Sequence, residues 1–109
     1  MKTLNNVELI GYLGSDPSFR ITSKGKRMAI MRLATDKFRK DDNGNKQKIT
    51  TWHDIVAWDN LAEKIENQYI KGSHVRVQGE IIYRTYEDKV GHTRYMAEIK
   101  ALNLMNLDR

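Results

Sequence analysis

One short stretch breaks the rhythm of this chain. Through most of the sequence apolar residues recur at every second position, the period of a strand with one buried face. In DNLAEKIENQYIKGS they move to Leu61, Ile65 and Tyr69, the i, i+4, i+8 spacing of a helix face. Asp59 or Asn60 can cap its start, and Gly72 suits a left-handed stop after Lys71, which predicts one helix of about ten residues. A lone helix set among strands admits few architectures, and its place in the order of elements selects between them.

Before the helix, NNVELIGYLGSDP alternates and then meets Gly11, Gly14 and Pro17, so a strand runs into a bend. SFRITSKGKRMAIMRLAT reads as a hairpin, strand 18–22 and strand 26–36, around Ser23-Lys24-Gly25-Lys26. DKFRKDDNGNKQK is a polar connection with a turn at Asn43-Gly44, and it leads into a strand over 48–58. After the helix, HVRVQGEIIYRTYED puts Val75, Val77, Gly79, Ile81 and Tyr83 on one face, and a turn at KVGH returns the chain into TRYMAEIKALNLM. Strands interrupted by one helix between the third and fourth main strands is the order of an OB-fold: all-β with one helix, a five-stranded Greek-key barrel with long hairpins. Gly79 in mid-strand fits a closed barrel, where sharp coiling crowds side chains.

With 109 residues, 39% of them hydrophobic, the chain has room for one modest core, so residues 1–109 are read as a single domain. No apolar run approaches the roughly 18 residues of a membrane span and the N-terminus MKTLNNVELI lacks a cleavable apolar stretch, so no membrane partner is expected and the expected location is cytoplasmic. Absence of cysteine excludes disulfides, thiolate metal sites and cysteine nucleophiles. The net charge of +5 matters less than its placement: between Arg20 and Lys48 stand ten basic residues against three acids. Such a concentration favours a polyanionic partner.

Aromatic residues are interleaved with those cations. Trp52 and Trp58, the only tryptophans, lie an even six positions apart on one predicted strand, which puts both indoles on the same side about 20 Å apart. Thr50, Trp52, Asp54, Val56 and Trp58 share a face that Thr50 and Asp54 make poorly apolar, while Ile55 and Ala57 on the other face look buried. Phe38 stands beside Lys37, Arg39 and Lys40, and Tyr86 follows Arg84. Exposed rings among cations suit single-stranded nucleic acid, because unpaired bases stack on rings while phosphates are neutralised.

The segments NNVELIGYLGSDPSFR, RLAT, TTWHDIVAWDNLAEKI, YIKGSHVRVQGEI and GHTRYMAEI resemble, in order and over nearly the whole chain, the bacterial single-stranded DNA-binding protein family. That resemblance implies an OB-fold that coats single strands in replication, recombination and repair, works near the nucleoid, and assembles as a homo-oligomer, a tetramer favoured and a dimer possible. It implies stacking positions at Phe38, Trp52, Trp58 and Tyr86, backbone-contacting cations at Arg20, Arg39, Lys71 and Arg84, and a subunit interface at His53. Tyr86 and Phe38 stand where the family often has tryptophan or phenylalanine, and Asp54 where a related protein carries Arg. The family's acidic, hydrophobic tip, which recruits other repair and replication proteins, has no counterpart in LNLMNLDR, so partners that depend on it are not expected here.

Catalytic and metal chemistry find little support. His53, His74 and His92 lack ligand spacing, DDNGNK misplaces the glycine of a calcium loop and has Trp52 at its twelfth position, and SKGKR lacks the first glycine of a P-loop. Asp54 and His53 point to opposite faces as strand neighbours. No cofactor and no enzymatic activity are expected. The alternative is an OB-fold adaptor that mainly contacts proteins, which would need far fewer solvent-exposed rings.

Overall fold

Alternation does produce strands, and they wrap around one core. The computed structural model describes residues 2–108. Its elements are β1 (Val7–Leu13), β2 (Ser18–Ile21), β3 (Arg27–Lys40), β4 (Lys46–Trp58), α1 (Asn60–Gln68), β5 (His74–Glu87) and β6 (Thr93–Asn106). The sheet runs β1-β5-β6-β4-β3-β2, and β1 also pairs with β3, which closes five strands into the Greek-key barrel expected of an OB-fold. β2 remains outside the ring as an edge strand on β3.

Closure depends on two glycines where strands change partner. β1 pairs with β5 from Val7↔Gly79 to Tyr12↔His74 and passes to β3 at Tyr12↔Ala34 and Leu13↔Leu33. A Cβ at Gly11 would fall on the carbonyl oxygen of Ala34, and one at Gly79 on the carbonyl oxygen of Lys100. Only a bare backbone lets the strands cross so closely. The β5–β6 register also shifts between Gln78 and Gly79, a bulge of the kind that adds the twist a barrel needs.

The core fills from the inward face of each strand and from α1. Leu33, Ile55, Ile65, Val75 and Val77 are fully buried, and Met31, Ala62, Tyr69, Ile99 and Leu104 pack with them. Each such large side chain contributes about 1.5–3 kcal/mol, against about 0–1 kcal/mol for an exposed ion pair. Packing therefore outweighs surface charge in holding the barrel. α1 presents Ala62 and Ile65 inward, packs against β3, β4 and β6, and ties itself to β6 where Lys64 Nζ donates to the Leu104 carbonyl at 2.6 Å.

Several local expectations need correction. The helix stops at Gln68, with Tyr69 already extended, so Gly72 (φ 87°) serves the turn after it and not the helix end. Asp59 occupies the cap position with φ 55°, but its side chain makes no capping bond; its carbonyl accepts from Glu63 N–H and its own N–H donates to Arg27. Val56, assigned by alternation to an open face, is buried because Ile30 on β3 and Lys100 on β6 flank it in register. Ile81 and Tyr83, placed by alternation on one face with Val75 and Val77, are exposed: β1 stops pairing with β5 at Gly79, and beyond Ile81, whose partner Ile99 is the last β6 residue before the arm to pair with β4, the β5–β6 pair is a free arm. β3 likewise runs to Lys40, so the segment read as a polar connection is the far half of a second arm.

Tyr69 is buried, and its hydroxyl has no hydrogen-bond partner among the described residues. Burial pushes its pKa up. A lone buried hydroxyl is a net penalty, so Tyr69→Phe should leave stability unchanged or raise it by up to about 1 kcal/mol. Urea unfolding checks this, and a loss above that size would mean the hydroxyl has a partner.

Candidate nucleic-acid interface

The β3–β4 hairpin carries the first half of the site. Its thirteen residue pairs run without a break from Met28↔Trp58 to Lys40↔Lys46. Because side chains alternate, Met28, Arg32, Ala34 and Phe38 of β3 share one face with Lys46, Lys48, Trp52, Asp54 and Trp58 of β4. Two rows cross the sheet on that face: Arg20–Met28–Trp58 at one end, and Tyr12–Ala34–Trp52 in the middle. Phe38 extends the face onto the free arm, opposite Lys48.

Exposure distinguishes these rings from core. Trp52 is 47% exposed, Phe38 55% and Tyr86 51%, whereas Trp58 is half-buried. Each of the first two carries a cation: the Arg32 guanidinium lies 5.0 Å from the Trp52 ring centroid, and Lys46 Nζ lies 4.6 Å from that of Phe38. Asp54, directly across from Arg32 in register, approaches it to 3.7 Å. The expectation from alternation of one open side for both indoles holds for Trp52; at Trp58 the strand is already entering the covered end of the barrel.

Tyr86 stands on the other arm, opposite Arg94 and on the same face as Arg84. Parallel pairing fixes where that arm points. β4 and β6 meet in parallel at Ile55↔Ile99 and Val56↔Lys100, and both arms are built on the segments that precede those residues, so both leave the barrel at the same end. Phe38 and Tyr86 thus extend beyond the end where Trp52 lies.

The two arm tips are clasped alike. Asp41 Oδ1 accepts from the N–H groups of Asn43 and Asn45, and Asp88 Oδ1 from those of Val90 and His92, with Gly44 and Gly91 at positive φ in each turn. DDNGNK is therefore a turn whose first carboxylate is occupied by backbone. Among the described residues no cluster of three or more His, Asp or Glu could hold a metal ion.

The four predicted phosphate-contacting cations differ in freedom. Among the described residues Arg20, Arg39 and Lys71 have no carboxylate within ion-pair distance, although the Lys71 N–H donates to Asp16 Oδ1 at 2.7 Å. Arg20 lines a shallow pocket with Phe19, Ile21, Arg27 and Glu66, and Arg39 falls on the face of its arm opposite Phe38. Arg84 is committed: its Nε lies 2.9 Å from Oε1 of Glu98, a side chain only 4% exposed. His53 is half-buried with Nε2 2.9 Å from the Thr35 hydroxyl, and it lines a cavity of about 400 Å3 with Val7, Leu9, Ile81 and Ile99. Trp52, Asp54 and Glu98 line the same open mouth.

Sequence reasoning did not find Arg32, Lys46 or Gly14, which lies against Trp52. A signal for the two cations existed. Pairing outward from the Asn43-Gly44 turn sets the register of the hairpin, and register with parity puts Lys46 and Arg32 on the ring face.

The chain is similar to known proteins over nearly its whole length. The sequence profile described as the single-strand binding protein family matches residues 4–107. The "Single-stranded DNA-binding protein 1" of Chlorobaculum tepidum is 42% identical over 106 residues, covering 95% of this chain and 65% of that protein, so the chain spans less than two thirds of this relative. The protein of the same description from Xylella fastidiosa is 37% identical over 110 residues, covering 100% of this chain and 81% of its own length. Among solved structures, a Plasmodium falciparum SSB in complex with single-stranded DNA superposes with a TM-score of 0.87 at 32% identity, covering 99% of this chain and 98% of that one.

Two outcomes are expected from the ion pairs. Arg84→Met strands the buried Glu98 and should lower stability by about 1–3 kcal/mol, most of which Glu98→Gln in the same chain should restore in denaturant titrations. Asp88, held below the usual aspartate pKa chiefly by Arg94 and then by the His92 N–H, stabilises its tip above the unfolded value near 4. That contribution is lost as pH falls below about 4 through the lowered folded value. Amide exchange at Val90 and His92, referenced to unstructured amides at each pH, should lose protection in that window.

Proposed function

The chain belongs to the single-strand binding protein family, and from that premise we propose that it binds single-stranded DNA without sequence preference. Bases stack on Trp52, Phe38, Tyr86 and the accessible part of Trp58, while Arg20, Arg39, Lys71 and the arm lysines neutralise phosphates. The observation that carries this reading is the half-exposed Trp52 with Arg32 beside it, on a face continuous with Phe38 and its lysines. A ring in a sealed core could not meet a base, and an adaptor surface would have no use for three rings left this open.

Residues 1–109 act in this reading as one OB domain with no catalytic step. One such domain covers about 4–16 nucleotides. The protein protects strands exposed in replication, recombination and repair, in the cytoplasm near the nucleoid. It works as a homo-oligomer, a tetramer in preference to a dimer, because linked grooves convert weak contacts into an intramolecular set. The apolar mouth beside His53 supports such an interface. No helix in the described residues is long and apolar enough to cross a membrane. Arg84 enters less as a free phosphate contact than as the partner of Glu98.

Oligo-dT should quench tryptophan emission, and a matched duplex should leave it nearly unchanged; an equal response to both overturns the reading. Affinity should fall with salt, by a log–log slope of about 0.7 for each phosphate contact. Trp52→Ala should cost about 1–3 kcal/mol of binding with the fold retained. Light scattering in the same titration reads the oligomer.

A further inference from the structure

Gly14 follows directly after β1 and donates its N–H to the Arg32 carbonyl at 3.1 Å. Its φ is not in the left-handed region, so its dihedral angles do not demand glycine. Space does. A Cβ there would fall on Cζ3 of Trp52 and come within 2.5 Å of Cη2, where carbon atoms settle no closer than about 3.5–4.0 Å. Gly11 and Gly79 are crowded by backbone, so a side chain at either would disturb the sheet itself. At Gly14 the obstacle is the far end of a side chain that can rotate. An added methyl group would therefore move the ring and leave the fold in place.

Trp52 has a second restraint. The Arg32 guanidinium lies 5.0 Å from its centroid, and Asp54 holds that guanidinium from the neighbouring strand at 3.7 Å. Backbone at Gly14 and the Arg32–Asp54 pair thus bracket the choices of tilt open to an indole that is otherwise half in solvent.

We propose that Gly14 is a positioning residue for single-stranded DNA: its bare backbone sets the tilt of the Trp52 indole before a strand arrives, with Arg32 as the second restraint. The proposal rests on the function proposed above and deepens it. A ring already held in its stacking pose gives up less freedom on binding, which is how preorganisation raises affinity.

Four proteins test it, all carrying Trp58→Phe so that Trp52 is the sole indole: the parent, Gly14→Ala, Trp52→Ala and the double variant. Gly14→Ala should keep the parent's far-ultraviolet dichroism and melting temperature while changing the near-ultraviolet band of the free protein. Its affinity for labelled oligo-dT should fall about fivefold or more, though by no more than Trp52→Ala loses, at an unchanged salt slope. In the Trp52→Ala background the same change should lower affinity by less than twofold. An unfolded Gly14→Ala, an unchanged near-ultraviolet band, or a full-sized loss in the absence of Trp52 each overturns the proposal. If the unsubstituted protein binds no oligo-dT, the proposed function fails, and the near-ultraviolet band of the free proteins still decides whether Gly14 sets the ring.

Discussion

Thirteen consecutive cross-strand pairs between β3 and β4 hold the site in order. Side chains on a strand alternate with period two, so a slip of one residue would carry Trp52, Trp58, Phe38 and their cations to opposite faces. Two devices prevent the slip. At the barrel end, Leu33, Met31 and Ile55 are buried and could not be exchanged for Arg32 or Asp54 without leaving a charge in the core. At the far end Asp41 clasps the turn through two backbone N–H groups and the Gly44 bend. Hydrophobic burial and turn chemistry thus impose one register from both ends, and the face with rings and cations follows from it.

Barrel closure then decides which parts of that face are open. Where β1 crosses to β3 at Gly11, and β6 joins β4 at Ile55↔Ile99, strands are flanked on both edges and even outward positions such as Val56 lose contact with solvent. Beyond those crossings each hairpin continues as a two-stranded arm with both faces wet, which is why Tyr83 and Tyr95 are exposed despite an apolar pattern. Trp52 lies at the boundary between these regimes. It is anchored on the sheet by its neighbours and still open to a flat ligand.

Much of this was legible in the sequence for a definite reason. Val75, Val77, Leu61, Ile65 and Tyr69 advertise period two and period 3.6 because each buries against the same core, and Asn43-Gly44 and Gly91 mark turns by their need for positive φ. What stayed hidden was set by tertiary neighbours. Ile81 continues the pattern of β5 by parity, but β1 no longer pairs with β5 beyond Gly79 to cover it. Asp59 has the composition of a cap, yet its N–H is taken by Arg27 and its backbone adopts φ 55°, which turns the side chain from the helix amides. The exposure of Phe38, Trp52 and Tyr86 could be expected from their polar neighbours in sequence, whereas the contacts that Arg32 and Gly14 make with Trp52 exist only across strands.

Acidic residues beside a polyanion site raise an electrostatic difficulty, which the local bonding addresses. Asp36 accepts from the Thr50 hydroxyl, Asp41 from two amides, Asp54 faces Arg32, and Asp88 holds two amides and Arg94. Each carboxylate shapes a turn or orients a neighbour. Among the described residues, Arg39, Lys37, Lys40 and Lys48 on one arm, with Arg20 and Lys71 near the barrel, have no carboxylate within ion-pair distance and are the cations the proposed function turns to the ligand. In the proposed function, the salt-sensitive part of binding would therefore come mainly from the first arm and the barrel edge, where charges are free to release counterions. The salt-insensitive part would come from Trp52 and the proposed restraints on its ring, since stacking trades no ions. One hairpin register delivers both terms, and substitutions on opposite sides of Trp52 can change one while leaving the other intact.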